Sequence, residues 1–424
     1  AASVLRICCG SDHSLCLTNA GLVFAWGVNN EGQCGFYGAS SQFLEEPHKI
    51  FPPHKDESIV MSLAAGARHS ILVATGGLTA TDEKGLLYTW GSNQQGRLGI
   101  GMGPNRHTPT LVESMRGTSL TLVAGGEAHS CAIDSEKRIW TWGVGAAGRL
   151  GLGETLDVVA PRLLRFPDEN GVSQVALGAF HSVALTAGKI VNRTIFSWGS
   201  GEALGLLPDG DTTAVLSPKV VDWRASIRNP NPEADNGDGA NIVQIAAGTY
   251  HTLLLLDTGG LITFGQPAGG RLGLGMGHKK NCGRPSRIHD SEGRPTLKFG
   301  FALKSFPVGE RSSRRKKLIH QTEVKNEKEG DLEPSKNELW EISQLACGDM
   351  HSAALTHGGK LYMWGCSEHG QLGLEENENK WTPKLLGMDL FQNVPIKQVS
   401  LGHEHCLALT QQNELYAWGK GDQG

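Results

Sequence analysis

The chain has 424 residues, 39% of them hydrophobic, and can bury a large core. Its 39 Lys and Arg against 43 Asp and Glu leave a formal charge of −4, which excludes an overall pull toward nucleic acid or an anionic membrane. Gly supplies 57 residues without a Gly-X-Y period, which means turns and excludes collagen, and no apolar run approaches the roughly 20 residues of a membrane span.

The first unit is already in progress at the start: Val4 to Cys8, Ser14 to Leu17 and Val23 to Trp26 read as strands. No signal peptide is legible there, although a leader could precede Ala1. The same paragraph is then rewritten along the chain. A Gly-x-x-His step occurs at Gly10/His13, Gly66/His69, Gly126/His129, Gly178/His181, Gly248/His251, Gly348/His351 and Gly402/His405. Each is followed by an aromatic-Gly pair led by Trp26, Trp90, Trp142, Trp198, Phe264, Trp364 and Trp418. Turn signals such as Gly358-Gly359 between His and aromatic make each pair of strands a hairpin. A closing Leu-Gly comes next, with Cys34 in place of Leu in the first unit.

Between units a segment with Pro, as at Pro109, Pro161, Pro218 and Pro383, reads as an outermost strand, because Pro is confined to edges and strand starts. Four short antiparallel strands per repeat predict an all-β fold, a seven-bladed β-propeller of four-stranded antiparallel blades forming one domain over 1–424. The last blade is expected to be incomplete in this sequence, since its closing Leu-Gly and Pro-marked strand are absent.

Two repeats run long. The residues 224–241, rich in Asn, Pro, Asp and Gly, are expected to be a surface loop insertion. The residues 290–339 are expected to be a long, largely mobile charged insertion. It carries Arg311, Arg314, Arg315, Lys316 and Lys317, a basic tag for nuclear localisation or an anionic partner, or else a solvated loop. Nine scattered Cys residues without a Cys-x-x-Cys pair suit free thiols in an intracellular, reducing compartment, with nucleus, cytoplasm and mitochondrion left open.

Gly-x-x-His-[Ser/Thr], a hairpin, Trp-Gly and Gly-[Gln/Arg]-Leu-Gly together resemble the signature of the regulator-of-chromosome-condensation repeat family. The resemblance implies a seven-bladed propeller. Members include a nuclear exchange factor for the small GTPase Ran, a plant ultraviolet-B photoreceptor, and ciliary, mitochondrial and ubiquitin-ligase proteins. In the exchange factor, acidic residues and a His of these turns contact the GTPase; Asp12 and Asp349 match that pattern best. The resemblance also asks for a wedge near the nucleotide, for which the two insertions are the candidates.

A residue needed once per blade is structural, so the seven repeat His and the seven blade aromatics are assigned to the frame. The remaining His form no metal spacing, and no metal or cofactor is expected. Gly143 to Gly148 and Gly419 to Gly424 match Gly-x-Gly-x-x-Gly but open no helix of a βαβ unit. No phosphate loop or nucleophile elbow is present, so no intrinsic catalytic chemistry is expected, while exchange-factor activity stays open. The photoreceptor's Trp cluster belongs to its Gly-x-x-His steps, and here those steps hold no Trp.

The pairs inside the seven steps vary while their frame does not. Asp12, Glu127, Asp349 and Glu404 against Arg68, with Phe180, Tyr250, Met350 and His403 between, predict an acidic partner-binding rim with aromatic and Met anchors. It is a poor nucleic-acid surface, since phosphate contacts need Lys and Arg. The expected function is a protein–protein interaction propeller that binds a small GTPase, with exchange activity open. The alternative is a non-catalytic scaffold subunit of a mitochondrial, ciliary or ubiquitin-ligase complex.

Overall fold

The computed structural model describes residues 3–37, 42–51, 59–75, 85–206, 213–224, 240–277, 282–288 and 342–421. The 290–339 insertion, with Arg311, Arg314, Arg315, Lys316 and Lys317, lies outside the described residues. So do 225–239 of the 224–241 loop. At that loop's C-terminal end, Ala240 and Asn241 are buried, and Asn241 donates its backbone and amide N–H to the Asp257 carboxylate at 2.9 and 2.8 Å. These two residues are part of the fifth blade's frame.

The described strands make seven antiparallel sheets, six of four strands and a last one of three, each in chain order from first strand to last. The blades occupy 4–51, 60–111, 120–163, 172–220, 242–287, 342–385 and 396–419. First strands of neighbouring blades pack on one another around the axis, and the first strand of blade 1 meets that of blade 7. The molecule is a closed seven-bladed β-propeller. Among the described residues, no helix is long and apolar enough to cross a membrane.

Each second strand begins at the repeat His and is a near-continuous small or apolar run; His69–Ala74 and His351–Thr356, for example, are buried along their whole length. Such a strand has a neighbouring blade on both faces, so hydrophobic alternation is lost. The core is accordingly distributed between blades. Trp364 of blade 6, for example, packs with Leu253 and Leu255 of blade 5. Full burial of a large apolar side chain stabilises by about 1.5–3 kcal/mol. All six fourth strands carry one Pro (Pro47, Pro109, Pro161, Pro218, Pro285 and Pro383), where a missing N–H faces no further strand.

Candidate functional site

The Gly-x-x-His turns gather at one end of the axis. In each, the Gly N–H donates to the His carbonyl, as from Gly10 to His13 at 2.8 Å. No Cβ fits there: on Gly10 it would lie 2.1 Å from His13 Cε1 and 2.5 Å from the Gly66 carbonyl. The same approach repeats from blade to blade until Gly402, whose Cβ would meet the Gly10 carbonyl at 2.7 Å. Seven glycines therefore form a closed collar.

Outside the collar runs a ring of side-chain bonds. His13 Nε2 meets Ser70 Oγ of the next blade at 2.9 Å, His69 meets Ser130 at 2.8 Å, and His129 meets Ser182 at 2.9 Å. His181 meets Thr252 at 3.0 Å, His251 meets Ser352 at 2.8 Å, and His351 meets Cys406 Sγ at 3.3 Å. His405 closes the ring on Ser14 at 3.1 Å.

Ser70, Ser130, Ser182 and Ser352 donate their own protons to the carbonyls of Gln33, Arg97, Arg149 and Arg271. Those hydroxyls can then only accept from His, which assigns the neutral Nε2–H tautomer from the bonding network. The same four carbonyls accept the indole N–H of Trp90, Trp142, Trp198 and Trp364 at 2.9–3.0 Å. Gln371 does so for Trp418 at 3.1 Å. Burial lowers the pKa of His13, His181 and His351 to about 3 and pushes down that of His69, His129, His251 and His405 as well. These histidines are neutral hydrogen-bond donors of the frame.

Above the ring, a funnel of about 1020 Å³ opens on the axis. Asp12, Arg68, Glu127, Phe180, Tyr250, Asp349, His403 and Glu404 all line it. Met350 does not; its Cε packs toward Gly269 and the short turn of blade 5. Asp12, Arg68 and Glu127 are exposed. Phe180 and Tyr250 stack, with centroids 5.2 Å apart and planes at 23°.

Asp349 is engaged. Its Oδ2 accepts from His403 Nε2 at 2.9 Å. Burial pushes the Asp349 carboxyl up, but hydrogen bonds from His403 and Thr249 outweigh it and hold the pKa below its ordinary value. The bond to Asp349 raises that of His403 in turn, helped by Glu404 and Asp12. Glu404 lies 2.9 Å from Lys420 and 3.3 Å from His369.

The expectation of an acidic face needs correction. Arg97, Arg149 and Lys420 line the same funnel, so four carboxylates meet four cations there besides His403. Arg97 and Arg149 come from the Gly-[Gln/Arg]-Leu-Gly step, outside the Gly-x-x-His pairs. Each is nearly buried and braces the next blade's turn: Arg97 Nη1 donates to the Glu127 carbonyl at 3.4 Å and Arg149 Nη1 to Ala179 at 2.6 Å. The Arg149 guanidinium also lies 4.5 Å from the Phe180 ring centroid. The Arg/Gln choice within the repeat was the available sequence signal, since Gln33 and Gln371 bond their own loops instead. Among the described residues no cluster of His, Cys, Asp and Glu could hold a metal ion.

The family described as RCC1-like domain matches residues 2–306, and the regulator of chromosome condensation (RCC1) repeat matches 358–409. The chain is similar to the ultraviolet-B receptor UVR8 of Arabidopsis thaliana, with 28% identity over 99% of this chain and 78% of that protein. It is 27% identical to the E3 ubiquitin-protein ligase HERC2 of Homo sapiens, over 90% of this chain but 8% of the ligase. Among solved structures, human WBSCR16 superposes with a TM-score of 0.71 at 22% identity, covering 96% of this chain and 87% of that one. Prp20p from Saccharomyces cerevisiae gives 0.69 at 21% identity, covering 97% and 84%. These two likenesses show the fold.

Proposed function

The chain belongs to the regulator-of-chromosome-condensation (RCC1) repeat family, and from that premise we propose that it is a protein-interaction propeller whose Gly-x-x-His rim takes a small GTPase. The observation that carries the reading is the contrast between frame and rim. The frame repeats one bond set around seven blades, whereas the rim pairs differ at every turn and expose charge at Asp12, Arg68 and Glu127. Side chains released from the demands of folding are available for recognition. Prp20p, of the same fold, is described by its binding to Gsp1p and histones. Exchange on a bound GTPase would need no covalent step: tighter binding of the nucleotide-free form weakens nucleotide affinity by linkage.

Eight cysteines among the described residues are free thiols, and burial raises Cys8 and Cys9 to about 12. This supports a reducing compartment.

Isothermal titration against a small GTPase, nucleotide-free and loaded, tests the reading. Asp12→Ala with Glu127→Ala should weaken binding several-fold, and less so at high salt, where screening has already removed the long-range part. Unchanged affinity at both salts overturns it. A scaffold role is the second reading, favoured by the match to a propeller-sized portion of a large ligase. It prevails if the parent protein never accelerates nucleotide release.

A further inference from the structure

We infer, resting on that reading, that the rim receives an amphoteric segment of its partner along blades 1 to 5: a cation at Asp12, an anion at Arg68, a second cation at Glu127 and an apolar side chain at Phe180 and Tyr250. The rim charges of blades 6 and 7 are already engaged. Asp349 holds His403 at 2.9 Å, and Glu404 holds Lys420 at 2.9 Å and His369 at 3.3 Å. A partner that recruits those carboxylates must first break existing pairs.

Blades 1 to 3 differ. Asp12 and Glu127 have no ion pair among the described residues. Arg68 comes no closer than 3.8 Å to Glu31, with its side chain 59% exposed. The Glu31 carboxylate also accepts a hydrogen bond from the Asn105 amide. These three residues stand on consecutive blades, so the available charge alternates in sign around the rim. Positive charge is also built in below, since Arg97 and Arg149 are fixed by the carbonyls of Glu127 and Ala179.

An all-basic segment laid over this arc would place like charge against Arg68, and such juxtaposition is the usual means of rejecting a wrong partner. An alternating segment meets each charge with its opposite. The arc ends on a braced aromatic pair, because Phe180 stacks with Tyr250 and lies 4.5 Å from the Arg149 guanidinium.

The test uses the full chain and two short fluorescein-labelled peptides of equal length, read by anisotropy at low salt. One carries Lys, Glu and Lys in alternation followed by Leu; the other has Lys at all three charged positions. The alternating peptide should bind several-fold more tightly, Arg68→Gln should remove that preference, and Arg68→Glu should reverse it. A thermal midpoint unchanged by either substitution confirms that only the surface was altered. The inference is overturned if the all-Lys peptide binds equally or better and Arg68→Glu strengthens it, a result that leaves a simply acidic rim and the earlier reading intact. It is also overturned if neither peptide binds above an uncharged control, or if the rim proves to be occupied by a second copy of the chain, seen as a dimer that Arg68→Glu dissociates. Failure of the earlier reading looks different: Asp12→Ala with Glu127→Ala would leave GTPase affinity unchanged.

Discussion

His351 Nε2 lies 3.3 Å from Cys406 Sγ, the one junction of the seven in which a thiol receives the histidine. The thiol itself points at the Gln371 carbonyl at 3.1 Å, as the serines of other blades do at theirs. A hydroxyl forms stronger bonds than a thiol in both directions. Cys406→Ser should therefore raise stability by about 0.5–1.5 kcal/mol, the net worth of a hydrogen bond, while Cys406→Ala should lower it by about 1–3 kcal/mol by stranding His351. Urea midpoints of the two variants decide the matter; a destabilised Ser variant would mean that thiol packing outweighs the bonds.

Trp364 is fully buried between blades and donates to the Arg271 carbonyl at 3.0 Å. Trp364→Ala should cost about 3–5 kcal/mol. Trp364→Phe should cost less, because blade 5 already places Phe264 at this position, fully buried and without an indole N–H. Thermal unfolding of the pair checks the order, and equal losses would contradict it.

The buried histidines make the fold sensitive to acid. An unfolded His titrates near 6.5, whereas folded His13, His181 and His351 titrate near 3. Between these values the unfolded chain binds more protons, so stability is full above 6.5 and falls as pH drops toward 3. Each histidine that stays neutral contributes a slope of about 1.4 kcal/mol per pH unit. His403 has the opposite sign: its pKa is raised, so its contribution is full at low pH and fades as pH rises through the folded value. Seven frame histidines outweigh that one. Urea midpoints at pH 7.5 and pH 5 should show the loss, and a flat profile would remove the neutral-donor assignment.

Not all rim acids are dispensable to the fold. Asp12→Ala and Glu127→Ala, at exposed sites, should change stability by less than about 0.5 kcal/mol. Asp349 is different, with a side chain 17% exposed and bonded to His403 across a blade junction. Asp349→Ala should cost about 1–3 kcal/mol. Parallel denaturation of the three single variants separates the groups.

The strand Cys282–Arg287 closes blade 5 and the strand Ile342–Cys347 opens blade 6, on either side of the long insertion. Deleting 310–333 should therefore leave the thermal midpoint unchanged. A deletion variant that fails to fold would place part of that segment in the core.

The frame was legible because it recurs. Gly10 and His13 mean little alone, but seven copies at matched spacing specify blade, turn and closure together. What the repeat could not convey was contact between copies. Asp349 and His403 are in different units, and nothing local announces that they pair, so Asp349 read as a free rim acid. Arg97 and Arg149 are hidden for the opposite reason: they belong to the recurring Gly-[Gln/Arg]-Leu-Gly step, and the fold turns them into the same funnel as the variable pairs.

The bond from His405 to Ser14 joins the last blade to the first. A solenoid built of stacked repeats can fray from its ends, one unit after another. A hoop has no ends to fray from. Weakening any single joint should therefore show up less as local softening at that blade than as an earlier, all-together release of the whole circle. Hydrogen exchange in blades far from a weakened joint should quicken along with the blades beside it.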